Sequence, residues 1–116
     1  MIARHLKHRG SALWLAAIVH RLSGLALAAF LPLHFLALGL AIEGEARFED
    51  FLRWTDRPLV KFAEVALVFL FTVHLLGGLR ILVIENLDWR EGQKQLAALA
   101  AAVSAIVAFV FLVRVF

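Results

Sequence analysis

Residues 62–80 read FAEVALVFLFTVHLLGGLR, and this stretch decides the fold. No charged residue occurs from Val65 to Leu79, and His74 is the only strongly polar side chain there. A helix of about 20 apolar residues is long enough to cross the hydrocarbon core of a bilayer. The stretch therefore predicts a membrane-spanning helix with one histidine at membrane depth.

The residues after His74 indicate what the histidine does. Gly77 and Gly78 follow at helical spacing, so they share its face. That face would combine one nitrogen ligand with bare backbone, which a large flat ligand such as a porphyrin could approach. Polar side chains at membrane depth are costly and commonly functional. The simpler alternative is that His74 only hydrogen-bonds to another helix and the glycines only allow close packing.

The composition predicts a membrane protein. Of the 116 residues, 63% are hydrophobic, whereas soluble domains contain about 45–50%. The absence of cysteine excludes disulfides, cysteine-bound iron–sulfur clusters and thiol catalysis in this chain. The net charge of +3 fits basic residues flanking spans, so we expect membrane lipid and no nucleic acid as a partner.

Two more apolar stretches complete the predicted fold. We expect an all-α membrane protein, a single domain over residues 1–116, with transmembrane helices at about 12–42, 58–84 and 96–116. The loop between the first two spans carries apolar residues at roughly helical spacing, Phe48, Phe51, Leu52 and Trp54. This pattern predicts a short amphipathic helix on the membrane surface.

The distribution of lysine and arginine predicts the orientation. With a cytoplasmic amino terminus, seven basic residues lie inside: Arg4, Lys7, Arg9, Arg21, Arg80, Arg90 and Lys94. Five then lie outside: Arg47, Arg53, Arg57, Lys61 and Arg114. The acid-free amino-terminal cluster favours a cytoplasmic amino terminus.

His20 and Arg21 lie where the first span begins, on the same side of the membrane. His74 is about 15 Å from the cytoplasmic end of the antiparallel second span, at 1.5 Å per residue. A haem on His74 would therefore have propionates within reach of His20 and Arg21, and the planar fork of arginine suits a carboxylate. Alternatively, His20 is a solvated interfacial side chain and Arg21 a topological anchor. Small residues around His20 allow a close approach: Ala16, Ala17, Ser23 and Gly24.

Two motifs carry a family resemblance. Residues 17–24, AIVHRLSG, resemble the SxxHRx[ST]G element of the cytochrome b membrane-anchor subunit of succinate dehydrogenase. Residues 74–80, HLLGGLR, followed by Glu85, resemble that family's HxxxGxRH element with its nearby acid. The order and spacing of the two elements agree, so the resemblance covers most of the chain.

The resemblance implies roles for four residues. His74 would be an axial ligand of the iron of haem b, with the other ligand supplied by a second small membrane-anchor subunit. His20 and Arg21 would lie near the haem propionates. Arg21 would contact ubiquinone or menaquinone near the iron–sulfur subunit, and Ser23 could stand in as the hydroxyl donor for the family's quinone-binding serine.

The same resemblance implies a location and a role for the chain. It would be a multi-pass subunit in a bacterial inner (cytoplasmic) membrane. It would anchor the iron–sulfur and flavoprotein subunits and transfer electrons, without being the dehydrogenase catalyst.

Two positions depart from the family pattern. The family serine that helps to hold quinone falls on Ala17, and the histidine after the motif arginine falls on Ile81. The chain has no tyrosine, so a phenol donor to quinone would come from another subunit. Ser23 or a partner residue would then have to replace the missing hydroxyl.

His34 and the overall function leave alternatives open. His34 lies about 21 Å beyond His20 along a helix, so we expect it to bond to a neighbouring helix, or else to ligate a second, outer haem. The chain could also serve a fumarate reductase running in reverse, or act as a haem-free structural anchor or assembly protein. A proton-coupled transporter is disfavoured, because Glu64 and Glu85 both lie near span ends.

Overall fold

The described part of the chain forms four α-helices. The computed structural model describes residues 12–87 and 92–116. Within these ranges the helices are α1 (Ala12–Glu43), α2 (Glu45–Thr55), α3 (Pro58–Leu87) and α4 (Gln93–Val115), and there is no strand. The basic amino-terminal cluster (Arg4, Lys7 and Arg9) and residues 88–91 of the second turn lie outside the described residues.

Three of these helices are long and apolar enough to cross a membrane: α1 from Leu13, α3 and α4. The prediction of an all-α protein with three membrane-spanning helices is therefore confirmed. The second span runs three residues further than expected, to Leu87, and the third begins earlier, at Gln93. Helical hydrogen bonds do not have to stop where the apolar sequence stops, so polar residues extend both helices.

The first connection contains a helix where the sequence predicted one. Gly44 separates α1 from α2 with an extended backbone, and Pro58 begins α3 as its first residue. Proline suits this position because the missing N–H has no intrahelical partner there. Lys61 pairs with Asp56 at 3.3 Å across the corner between α2 and α3. The position of α2 on a membrane surface remains a prediction.

The packing centres on α3, which contacts both α4 and α1. Only three described residues are buried: Ser23 on α1, and Ser104 and Ala108 on α4. Most large apolar side chains are exposed, including Leu25 at 69% and Phe109 at 64%. Small residues occupy the places where helices approach closely, which is typical of helix packing in membranes. The apolar exterior is suited to lipid or to other membrane subunits.

Candidate functional site

The two histidine motifs meet between α1 and α3. The rings of His20 and His74 stack face to face, with centroids 4.3 Å apart and planes within 1°. Because α1 and α3 each contribute one ring, the stack joins the two spans. The sequence placed both histidines near one ligand, and the structure brings them into direct contact.

Glycines on the opposite helix make room for each ring. A β-carbon added at Gly24 would lie 3.0 Å from Cε1 of His74. A β-carbon added at Gly77 would lie 3.2 Å from Nδ1 of His20. One added at Gly78 would lie 3.3 Å from Cε1 of the same ring. The glycines after His74 therefore face the His20 imidazole of α1, so within this chain their bare backbone accommodates a side chain.

Hydrogen bonds hold His74 against α1. Its Nδ1 lies 3.2 Å from the backbone carbonyl oxygen of His20 and 3.2 Å from Oγ of Ser23. A carbonyl only accepts, so Nδ1 carries the proton and donates it. In a neutral imidazole the other nitrogen, Nε2, then keeps a lone pair. Nε2 has no hydrogen bond within the described part of the chain and is not buried.

His20 has the opposite arrangement. Its Nδ1 is buried and has no hydrogen-bond partner among the described residues. A buried polar atom without a partner costs about 1–3 kcal/mol, so it calls for an explanation. The ring lies between the ring of His74 and Gly77, where an added β-carbon would be 3.2 Å from this atom.

The two histidines line different cavities. His74 lines an apolar cavity of about 740 Å³ between α1 and α3, together with Gly24, Leu27 and Phe71. This cavity extends along the helices as far as His34. His20 lines a smaller cavity of about 250 Å³, bordered by Arg80 and Lys94. The stack thus separates a large apolar space from a small one with basic residues at its edge.

Arg21 and Arg80 lie outside the histidine stack. Arg21 is exposed and has no hydrogen bond or ion pair with any described residue. Arg80 donates from Nη1 to Oε1 of Gln93 at 3.2 Å, which links α3 to α4. It does not pair with Glu85, since residues five apart point to different sides of a helix.

His34 forms no bond to a neighbouring helix within the described chain. Its ring lies 5.4 Å from that of Phe30 and 6.1 Å from that of Phe35, both on α1. The expected hydrogen bond across the helices is therefore not seen inside this subunit. The side chain is exposed and lines the far end of the apolar cavity that contains His74.

The residues around His74 fit a haem iron. Metal-bound histidines commonly donate their other ring N–H to a carbonyl or carboxylate, and Nδ1 of His74 does so to His20. Its Nε2 remains available beside an apolar wall. No group of three or more histidine, aspartate or glutamate side chains that could hold a free metal ion occurs in the described ranges. A porphyrin supplies four iron ligands itself, so one histidine from the chain suffices.

These features define a class: a small membrane helix bundle that presents a histidine at membrane depth. The sequence pattern of succinate dehydrogenase/fumarate reductase transmembrane subunits matches residues 2–113, and the chain belongs to that family. It is thus a multi-pass membrane subunit of a succinate dehydrogenase or fumarate reductase complex. Comparison with curated proteins and with solved structures finds no match.

Sequence reasoning missed the contact that holds His74. The quinone contact expected of Ser23 stays a prediction; in the structure Ser23 is completely buried, and its hydroxyl donates to the carbonyl oxygen of His20, 2.9 Å away. The signal was present in the sequence, because Ser23 and Gly24 follow His20 by three and four positions. Those positions lie on the same helical face as His20.

Proposed function

We propose that this chain is the haem b-carrying membrane anchor of a succinate:quinone oxidoreductase in a bacterial cytoplasmic membrane. His74 would bind the haem iron through Nε2. The observation that supports this most directly is the bond from His74 Nδ1 to the His20 carbonyl at 3.2 Å, which leaves Nε2 as the free nitrogen. The chemistry that a bound haem b supplies is the uptake and release of one electron.

The second axial ligand would come from another small membrane subunit. His20 and His74 are parallel and face to face, so their nitrogens do not oppose each other across a shared iron. His20, through Nε2, and Arg21 would instead bind the propionates. Both lie near the start of α1, where carboxylates can remain close to water.

We assign the quinone contact to Arg21 rather than to Ser23. Arg21 is exposed and has no partner among the described residues, so its guanidinium is available to a head group. Ser23 is fully buried, and its hydroxyl is already bonded. A positioned guanidinium can stabilise negative charge developing on a quinone oxygen. Ubiquinone and menaquinone both offer that oxygen.

The proposed partners are the second membrane subunit, the iron–sulfur subunit and the flavoprotein subunit. Succinate oxidation would take place on the soluble subunits, and this chain would hold them at the membrane. The same arrangement serves a fumarate reductase, in which electrons run from quinone towards fumarate.

The haem assignment is tested by replacing His74 in the intact complex. We expect His74→Ala to lose or strongly alter the reduced b-type haem spectrum, because the iron loses its ligand from this chain. His34→Ala is the matched control, since His34 lines the far end of the same cavity, and we expect it to keep the spectrum. A wild-type spectrum for His74→Ala would exclude His74 as a ligand of the haem iron and leave it as a side chain that joins two helices.

The quinone assignment is tested by enzyme activity. We expect Arg21→Leu to lower quinone-dependent succinate oxidation at least tenfold more than oxidation with an artificial soluble acceptor, a difference of about 1.4 kcal/mol in barrier. Arg57→Leu is the control, because Arg57 is also exposed but lies just before α3, at the end of the bundle opposite to Arg21. An unchanged activity ratio in Arg21→Leu would leave Arg21 as a topological anchor only.

A further inference from the structure

One hydroxyl in the first span has no exposure at all. Ser23 is 0% exposed, although most residues of α1 face outwards. Its Oγ lies 2.9 Å from the carbonyl oxygen of His20 and 3.2 Å from Nδ1 of His74. Ser23 thus contacts His20 on its own helix and His74 on the neighbouring helix at the same time.

The donor and acceptor roles follow from the chemistry of the three groups. The serine hydroxyl has one hydrogen, and it donates this hydrogen to the carbonyl of His20. Its lone pairs are then left for the N–H of His74 Nδ1, which also faces the His20 carbonyl. The carbonyl can only accept, so Nδ1 must carry the proton, and the hydroxyl, whose own hydrogen is donated to the carbonyl, accepts from the same N–H.

We propose that Ser23 is a positioning residue that holds His74 in the tautomer protonated on Nδ1, so that Nε2 is presented as a metal ligand. This inference rests on the proposed haem function. Acceptors on the N–H of a ligating histidine fix the ring and raise the basicity of the ligand. A more basic imidazole stabilises ferric relative to ferrous iron, so Ser23 lowers the reduction potential of the haem.

A second buried serine provides a comparison within the same chain. Ser104 on α4 is also 0% exposed, and its Oγ donates to the carbonyl of Ala100 at 2.7 Å. It has no hydrogen bond to any histidine in the described ranges. Replacing Ser104 removes an equally buried hydroxyl with a similar backbone bond, but leaves His74 untouched.

The experiment measures the midpoint potential and the electron paramagnetic resonance spectrum of ferric haem in the purified complex. We expect Ser23→Ala to retain haem and to shift the potential upwards, because one acceptor on Nδ1–H is lost. The g-values should shift too, since the ring is held less firmly. Ser104→Ala should match the wild type in both. A Ser23→Ala variant with wild-type potential and g-values overturns the proposal.

A second variant, Ser23→Thr, keeps the test decisive if the Ser23→Ala complex fails to assemble. If Ser23→Ala does not accumulate with haem, Ser23→Thr decides, because it restores the hydroxyl. A Ser23→Thr complex with the wild-type potential supports the proposal, whereas one that fails like alanine shows that volume matters and overturns it. A wild-type complex without any b-type spectrum overturns the haem function itself, and with it this inference. A normal wild-type haem with no response to Ser23→Ala overturns this inference alone.

Discussion

At the scale of single residues, the contact between α1 and α3 depends on three glycines, which have no side chain. The His74 ring lies where Gly24 has no β-carbon, and the His20 ring lies where Gly77 and Gly78 have none. A larger residue at any of these positions would push an imidazole away. The glycines therefore set the distance between the spans and the position of His74 together.

This arrangement predicts that Gly24→Ala is harmful. The new β-carbon would lie 3.0 Å from Cε1 of His74, closer than van der Waals contact allows. Overpacking of this kind typically costs about 1–3 kcal/mol. We expect an unfolding titration in detergent to show that loss, together with an altered haem spectrum.

Gly39→Ala is the control for this prediction. Gly39 is on the same helix, and an added β-carbon there meets nothing within 4 Å. We expect no loss, and a gain of up to about 1 kcal/mol from better helix propensity. Equal stabilities for the two variants would mean that the His74 ring moves aside at no cost.

Part of this site could be read from the sequence. The small face that includes Ser23 and Gly24 predicted a close approach to α1, and Ser23 and Gly24 do face His74. The stacking of His20 on His74 could not be predicted. Residue spacing gives the face of one helix, but the rotation of a second helix against it depends on packing between them.

At the scale of helices, the sequence predicts well that each spanning helix exists, but it predicts poorly which face of that helix is buried. All three spans were expected, because long apolar runs can only be accommodated in a membrane as helices or barrels. Helix α4 is apolar around its whole circumference, so its sequence does not mark Ser104 and Ala108 as the buried face. In a soluble protein, the polar side of a helix faces water, so the opposite, apolar side can be identified as the buried face.

The ends of the helices show a second limit. The expected end of α3 was residue 84, where the apolar run stops, yet the helix continues through Glu85 and Asn86. Asn86 donates from Nδ2 to the carbonyl of Leu82 at 2.9 Å, within the same helix. Hydropathy marks the membrane boundary, whereas backbone hydrogen bonding decides where the helix ends.

At the scale of the whole molecule, the chain buries little of itself. Only Ser23, Ser104 and Ala108 are buried among residues 12–87 and 92–116, and the apolar exterior requires lipid or partner subunits. This agrees with its family, whose members are transmembrane subunits of a complex. Stability measured on the isolated chain would therefore underestimate its stability in the complex.

The orientation of the whole molecule also stays a prediction, and the proposed function depends on it. A cytoplasmic amino terminus places His20 and Arg21 on the side of the soluble subunits. It also places α2 outside, and the end of α3 inside. Since the chain contains no cysteine, single cysteines can report the side without background labelling.

We expect a membrane-impermeant maleimide, added to cells whose membrane that holds the protein is intact and accessible, to label Glu49→Cys and not Asn86→Cys. Both positions are exposed, at opposite ends of the bundle. After the cells are lysed, both variants should be labelled, which is the control for accessibility. Labelling of Asn86→Cys alone in unlysed cells would place the amino terminus outside. Arg21 would then lie on the side away from succinate chemistry, and the proposed contact with quinone beside the iron–sulfur subunit would be wrong.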